Sequence, residues 1–244
     1  MKGGQPRWVQ WDLKRYPYLA QVEWPKRGPL TLTVLDRAQT ELALLAIDAA
    51  GGAVRELVHA TDPAWVNTVP GSPRWLEDGS GFLWLAESEP GYALELRDAN
   101  GALVREIVPA TFGTRAIVGV VPDGSAAIVT ASKDPREQHV WRVPLGGSGA
   151  ATGAPEPLTS GGGVHTAVAD HGVVVISSAL REGGAATTAI AADRSRHELP
   201  DVAEQPTLVP TTRLESVEIG GNTFYTAITR PRAFKACERY PVLL

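Results

Sequence analysis

The stretch RWLEDGSGFLWL, Arg74 to Leu85, decides how the chain is read. Arg74-Trp75-Leu76 closes one short apolar segment and Phe82-Leu83-Trp84-Leu85 opens another, with Asp78-Gly79-Ser80-Gly81 between them. Aspartate can hydrogen-bond the backbone two residues on, and glycine reaches positive φ without a steric penalty, so the middle is turn chemistry and the whole predicts a hairpin. The same phrase returns twice. Val118 to Val121 leads through Asp123-Gly124-Ser125 into Ala127-Ile128-Val129-Thr130, and Thr166-Ala167-Val168 leads through Asp170-His171-Gly172 into Val173-Val174-Val175-Ile176. The three aspartates stand 45 and 47 positions apart.

Working outward, the first two units continue with a third strand, at Ala93 to Arg97 and at His139 to Val143, each followed by a turn. These turns are Asp98-Ala99-Asn100-Gly101 and the glycine-rich run from Leu145 to Gly149. A fourth strand, Leu103 to Ile107, follows the first of them. An earlier copy fits as well: Leu19 to Trp24, the turn Lys26-Arg27-Gly28, Leu30 to Leu35, Glu41 to Ile47, the turn Asp48 to Gly52, and Val54 to Val58. Period-two alternation marks such segments as half-buried strands. Four strands joined by hairpin turns and repeating about every 45 residues is the pattern of β-propeller blades. A β-sandwich with coincidental spacing is the alternative, and the kept order of strand, Asp-Gly turn, strand, strand, turn, strand speaks against it. A blade has two faces to cover, so four blades either close on themselves or form an arc of a larger ring.

Composition agrees with an all-β chain. The 244 residues are 43% hydrophobic and 20% charged, with 25 glycines, 19 prolines and one methionine, which is turn-rich globular material. A net charge of −4 with scattered basic residues leaves no polycationic stripe, so nucleic acid is not an expected partner. Cys237 is the only cysteine, so neither an intrachain disulfide nor a multi-thiolate metal site can form. Behind Met1 to Arg7 no apolar h-region follows, since Trp8-Val9 gives way at once to Gln10 and Asp12. No signal peptide is expected, the cytoplasm is the default compartment, and no apolar run is long enough for a spanning helix.

The chemistry-bearing motifs are few. No Gly-x-Ser-x-Gly occurs, because Gly79-Ser80-Gly81 and Gly147-Ser148-Gly149 put glycine next to serine, so the nucleophile elbow is missing. The five histidines show no His-Glu-x-x-His and no i,i+4 pair, and no metal or other cofactor is expected. The loop from Gly147 to Gly153 lacks the spacing and following helix of a phosphate cradle and reads as a hairpin connection. Glu87 and Glu89 would share a face of an alternating strand and could receive an ammonium group, but their place in Glu87-Ser88-Glu89-Pro90-Gly91 predicts a solvated hairpin. Most of the seven tryptophans fall at apolar strand positions and are expected in the core.

Beyond these patterns, a set of segments carries a family resemblance: YPYLAQVEW (Tyr16 to Trp24), QTELALLAID (Gln39 to Asp48), DPAWVN (Asp62 to Asn67) and WLEDGSGFLW (Trp75 to Trp84). ASKD (Ala131 to Asp134), VWRVPL (Val140 to Leu145) and the closing segment Thr223 to Leu244 extend it. Together they resemble the later part of the propeller domain in the dipeptidyl peptidase IV and prolyl oligopeptidase family of serine peptidases. The resemblance implies a ring that shields an α/β-hydrolase domain and gates peptides to its serine, without breaking bonds itself. The glutamate pair that holds the substrate's amino terminus in that family would precede Met1, so Glu87 and Glu89 are not its counterpart. Trp65 and Asn67 are carried over as residues lining the substrate cavity, and no catalytic residue is assigned.

The expected architecture is therefore about four four-stranded propeller blades over residues 1–205, forming a partial ring. Residues 206–244 follow as a linker hairpin and the start of a truncated α/β-hydrolase domain, with Tyr240 to Leu244 its first strand. The expected role is the non-catalytic propeller portion of a dipeptidyl peptidase IV-like serine peptidase, with the Ser-Asp-His triad outside the chain. Its partners would be a peptide substrate or a catalytic hydrolase domain, and oligomerisation is left open. Two other readings stay open at this level. One is a free-standing interaction module that closes a four-bladed ring, and the other is a sugar-binding propeller that uses Glu87, Glu89 and stacking tryptophans.

Overall fold

The computed structural model describes residues 8–146, 153–181, 184–204, 207 and 211–243. The stretch 1–7, the loop residues 147–152, the 205/206 boundary and Leu244 lie outside the described residues.

Four antiparallel sheets, each of four strands in chain order, follow one another. Blade 1 contains β1 (Tyr18–Glu23), β2 (Leu30–Leu35), β3 (Glu41–Ile47) and β4 (Val54–Thr61). Blade 2 contains β5 (Arg74–Trp75), β6 (Gly81–Ser88), β7 (Gly91–Asp98) and β8 (Leu103–Val108). Blade 3 contains β9 (Thr114–Val120), β10 (Ala126–Ala131), β11 (His139–Pro144) and the two-residue β12 (Glu156–Pro157). Blade 4 contains β13 (Gly163–Asp170), β14 (Val173–Leu180), β15 (Ala185–Ile190) and β16 (Arg196–Leu199). A separate hairpin, β17 (Thr212–Ile219) and β18 (Asn222–Thr229), follows.

The turn chemistry behaves as the sequence implies. Asp78 Oδ1 accepts the Ser80 N–H at 2.9 Å and its hydroxyl at 2.7 Å, while Gly79 sits at φ 74°. Asp123 accepts the Ser125 N–H at 2.9 Å, with Gly124 at φ 70°. The third turn differs in type. Asp170 pairs directly with Val173, and His171 and Gly172 both take positive φ, 48° and 81°, as a two-residue hairpin loop demands.

Apolar clusters join the blades in succession. Leu42 and Leu44 of blade 1 pack with Trp75, Phe82 and Trp84 of blade 2, and the Trp75 and Phe82 rings, cross-strand partners, lie 5.0 Å apart. Leu83, Leu85 and Leu94 of blade 2 meet Ile117, Val129 and Val143 of blade 3. Ile128 and Val140 of blade 3 meet Val174, Ile176 and Ile190 of blade 4. A fourth cluster closes the free side of blade 1 with the preceding segment, Tyr16 packing on Val34, Ala43 and Leu45, flanked by Val9 and Trp11. Among the described residues no such cluster joins blade 4 to blade 1, and Val164 and Val168 on the far face of blade 4 are exposed. The blades form an open arc, as the partial-ring expectation holds, and not a ring closed at four.

Two expectations are corrected. Tyr240 to Leu243 form no strand, and Val242 and Leu243 are exposed, because a strand needs a neighbour for its N–H and C=O groups and none of the described strands flanks this segment. The tryptophans divide: Trp75 and Trp84 are buried, Trp11 and Trp141 are half-buried, and Trp8, Trp24 and Trp65 are exposed. The exposed three stand in the leading segment, at a blade's edge and in a connecting loop, where no neighbouring sheet covers them. Glu87 and Glu89 are exposed in the hairpin as expected, and they share no strand face, since β6 ends at Ser88 and Glu89 belongs to the turn.

Candidate functional site

A cavity of about 410 Å³ opens between blades 1 and 2, where the linker from β4 to β5 meets the β6–β7 turn. Its floor is apolar, with Leu42, Val58, Val66 and Trp84. Its rim is polar, with Asp62, Asn67, Glu87, Glu89 and Tyr92.

The linker is shaped by one carboxylate and one anchor. Asp62 Oδ1 accepts the N–H groups of Ala64 at 2.7 Å and Trp65 at 2.8 Å. These bonds, the one from Trp65 foremost, hold the Asp62 carboxyl below the usual carboxylate range. Val66 is buried in the blade 1–blade 2 core, and its N–H donates to the Gln39 carbonyl at 2.8 Å. With Val66 pinned inward, its neighbours Trp65 and Asn67 turn toward solvent.

Asn67 forms part of the rim, where its Nδ2 donates to Glu87 Oε1 at 3.0 Å. Tyr92 lies beside them, and its phenol is pushed up first by burial and then by the Glu87 charge, with Asn67 pulling the other way. Trp65 is 52% exposed and stands next to the rim without walling the cavity. Glu87 and Glu89 are exposed, as a solvated hairpin implies, yet Glu87 is engaged by Asn67.

The basic side chains in the wall already have partners. Arg97 bonds Glu95 at 2.7 Å and the Gly101 carbonyl at 2.9 Å, and His59 faces Glu41 at 3.7 Å. Asp62, Glu87 and Glu89 thus leave the mouth acidic and rich in acceptors, suited to N–H donors. Ser88, His59 and Asp62 all border the cavity, but His59 turns to Glu41 and Asp62 to the backbone of the linker. No nucleophile–base–acid chain of hydrogen bonds links them among the described residues, and such a chain is what acyl transfer by that route requires. Among the described residues no group of three or more His, Cys, Asp or Glu side chains is placed to hold a metal ion, and no helix is long and apolar enough to cross a membrane.

The sequence points to Asn67 and, separately, to Glu87, but neither to their pairing nor to Tyr92; Glu87 and Tyr92 lie 20 and 25 positions on, in the next blade. Only the rule that alternate turns of neighbouring blades fall at the same end would have brought them together.

Comparison with known proteins bears on the fold and the family. The model of the family described as "Dipeptidyl peptidase IV (DPP IV) N-terminal region" matches residues 1–182. The fold is similar to the crystal structure of Porphyromonas gingivalis dipeptidyl peptidase 4, with a TM-score of 0.75 and 13% identity over 92% of this chain and 33% of that one. It is also similar to a Bacteroides ovatus ATCC 8483 protein assigned as a dipeptidyl aminopeptidase IV, with a TM-score of 0.71 and 15% identity over 92% of this chain and 35% of that one. The chain therefore spans about a third of these solved structures, and at such identity the likeness is one of fold. No curated protein matches the chain.

Proposed function

The chain belongs to the dipeptidyl peptidase IV N-terminal region family, and from that premise we propose that it walls and gates the peptide cavity of a serine peptidase whose bond-breaking groups sit on an α/β-hydrolase domain. Residues 1–205 act as the propeller wall, and residues 206–244 lead into the hydrolase domain. The β17–β18 hairpin supports this division. A lone two-stranded hairpin is marginal in water, and Val217, Ile219 and Phe224, on one face of it by register, are exposed as if meant for a further layer.

The single observation that carries the functional reading is the acceptor-rich mouth between blades 1 and 2. In this account Asn67 lines the peptide's path by hydrogen bonding, and Trp65, beside the rim and outside the cavity wall, flanks its entrance by apolar contact. The open arc favours this over a free-standing interaction module, which needs a ring closed at four.

The test joins the propeller to an α/β-hydrolase domain at its carboxyl end and measures hydrolysis of aminoacyl-prolyl peptides. Asn67→Ala and Trp65→Ala should each raise KM by about fivefold, the worth of roughly one hydrogen bond or contact near 1 kcal/mol, with kcat little changed. An unchanged KM in both variants would remove these residues from the path.

A further inference from the structure

The junction of blades 3 and 4 carries a feature that the peptide path does not use. The loop between β10 and β11 crosses to the next blade: Gln138 forms a parallel bridge with Val164, its N–H donates to the Gly163 carbonyl at 3.0 Å, and its carbonyl accepts the His165 N–H at 2.9 Å. Its side-chain Nε2 adds a bond to the His165 carbonyl at 3.0 Å. Directly at this seam the rings of His139, from blade 3, and His165, from blade 4, are stacked with centroids 5.2 Å apart.

The two rings are wired differently. His139 Nδ1 lies 3.2 Å from the Thr159 hydroxyl and its Nε2 lies 3.2 Å from Glu137 Oε2. Thr159 Oγ1 already accepts the Val140 N–H, so its own proton is free for Nδ1, and His139 Nε2–H then donates to Glu137. Glu137 also pairs with Arg181 of blade 4. His165 is 2% exposed, its Nδ1 is 2.7 Å from Ser178 Oγ, and its Nε2 is buried without a hydrogen-bond partner.

We propose that the His139–His165 stack is a proton-sensitive seam, closed while His165 is neutral and loosened when His165 takes a second proton. A second proton would enter a buried ring whose Nε2 has no partner in good hydrogen-bond geometry, the nearby Gly161 carbonyl being the one acceptor that favours it, beside a second imidazole. Burial lowers the His165 pKa first of all, and the neighbouring His139 adds to it; the Gly161 carbonyl and the Glu137 charge act the other way and do not overcome burial. The groups facing His165 are thus His139, Glu137 with its partner Arg181, the Ser178 hydroxyl and the Gly161 carbonyl. Because the folded seam holds this proton less readily than an opened one, its stability is complete above pH about 6.5 and declines as pH falls below it.

Opening would not stay local. Arg136 of the same loop is held by Asp134 at 2.6 Å and lies over the Tyr225 ring of the β17–β18 hairpin, 5.0 Å from its centroid. One short loop therefore ties blade 3 to blade 4 and to the hairpin, and acidification would loosen both connections.

The test is amide hydrogen exchange of the 244-residue chain, corrected for the intrinsic pH dependence of exchange. Protection of β13 should fall by up to about tenfold from pH 7.5 to 5.5, the effect of one proton that only the opened seam accepts readily. In His165→Asn, whose amide can still donate to Ser178, that fall should vanish. Protection that is flat in the unmutated chain, or that falls equally in the variant, overturns the proposal. Should the variant not fold, imidazole nitrogen shifts in the unmutated chain decide: His165 should remain neutral at pH 6, and an ordinary midpoint near 6.5 overturns the seam.

Discussion

Asp62, Val66 and Asn67 show how three neighbouring residues build one wall of a site. The first bends the linker through its carboxylate, the second anchors it in the core, and the third is left to face Glu87 across the blade boundary. This coupling has a spectroscopic consequence. Glu87→Gln removes the carboxylate whose charge and hydrogen bond help burial push the Tyr92 phenol up, while burial persists, so the Tyr92 ionisation midpoint should move down without reaching that of a free tyrosine. Ultraviolet titration against a Tyr92→Phe control reads it, and an unmoved midpoint would separate Glu87 from Tyr92. Asn67 was legible from DPAWVN because that segment resembles a known one. Glu87 was read only as solvated, since a single sequence gives no sign of what stands on the next blade.

At the scale of elements, turns rich in glycine or aspartate made β2, β3, β6, β7, β10, β11 and β14 legible, because each strand borders a turn with its own chemical signature. β15 and β16 were missed. Their sequence, AATTAI and RHEL, has little apolar contrast, as befits a blade with one face uncovered. β12 was missed because two residues carry no periodicity, and its pairing with Trp141 and Arg142 comes from tertiary position. Tyr240 to Leu243 show the converse: an apolar run supplies strand propensity but not the neighbour that makes a strand. Turns also hold the blades in register with each other. Gly101, in the β7–β8 turn at φ 90°, brings its Cα so near blade 1 that a Cβ would lie 2.0 Å from the Leu57 carbonyl oxygen. Gly101→Ala should therefore destabilise the chain by at least about 2 kcal/mol, combining positive φ with a backbone clash. Thermal or denaturant unfolding measures this, and a loss below about 0.5 kcal/mol would show that blades 1 and 2 yield easily there.

Across the whole molecule, the four blades share three inter-blade cores, and the leading segment covers the free side of blade 1. The far side of blade 4 and one face of the hairpin are left apolar and exposed. Under the proposed function such an arrangement serves as a wall for a peptidase's cavity, and its polar mouth holds acceptors with no nucleophile–base–acid chain among the described residues that border it. The repeat in the sequence conveys the blades but leaves a closed ring of four and an arc both open; the family resemblance implies the arc, and the uncovered face of blade 4 agrees with it. The claim that this region gates peptides but does not cut them meets its most direct test in an assay of the purified chain with aminoacyl-prolyl chromogenic peptides, with and without a serine-directed inhibitor. The account predicts no inhibitor-sensitive release of chromophore, and inhibitor-sensitive cleavage by the chain alone would contradict it.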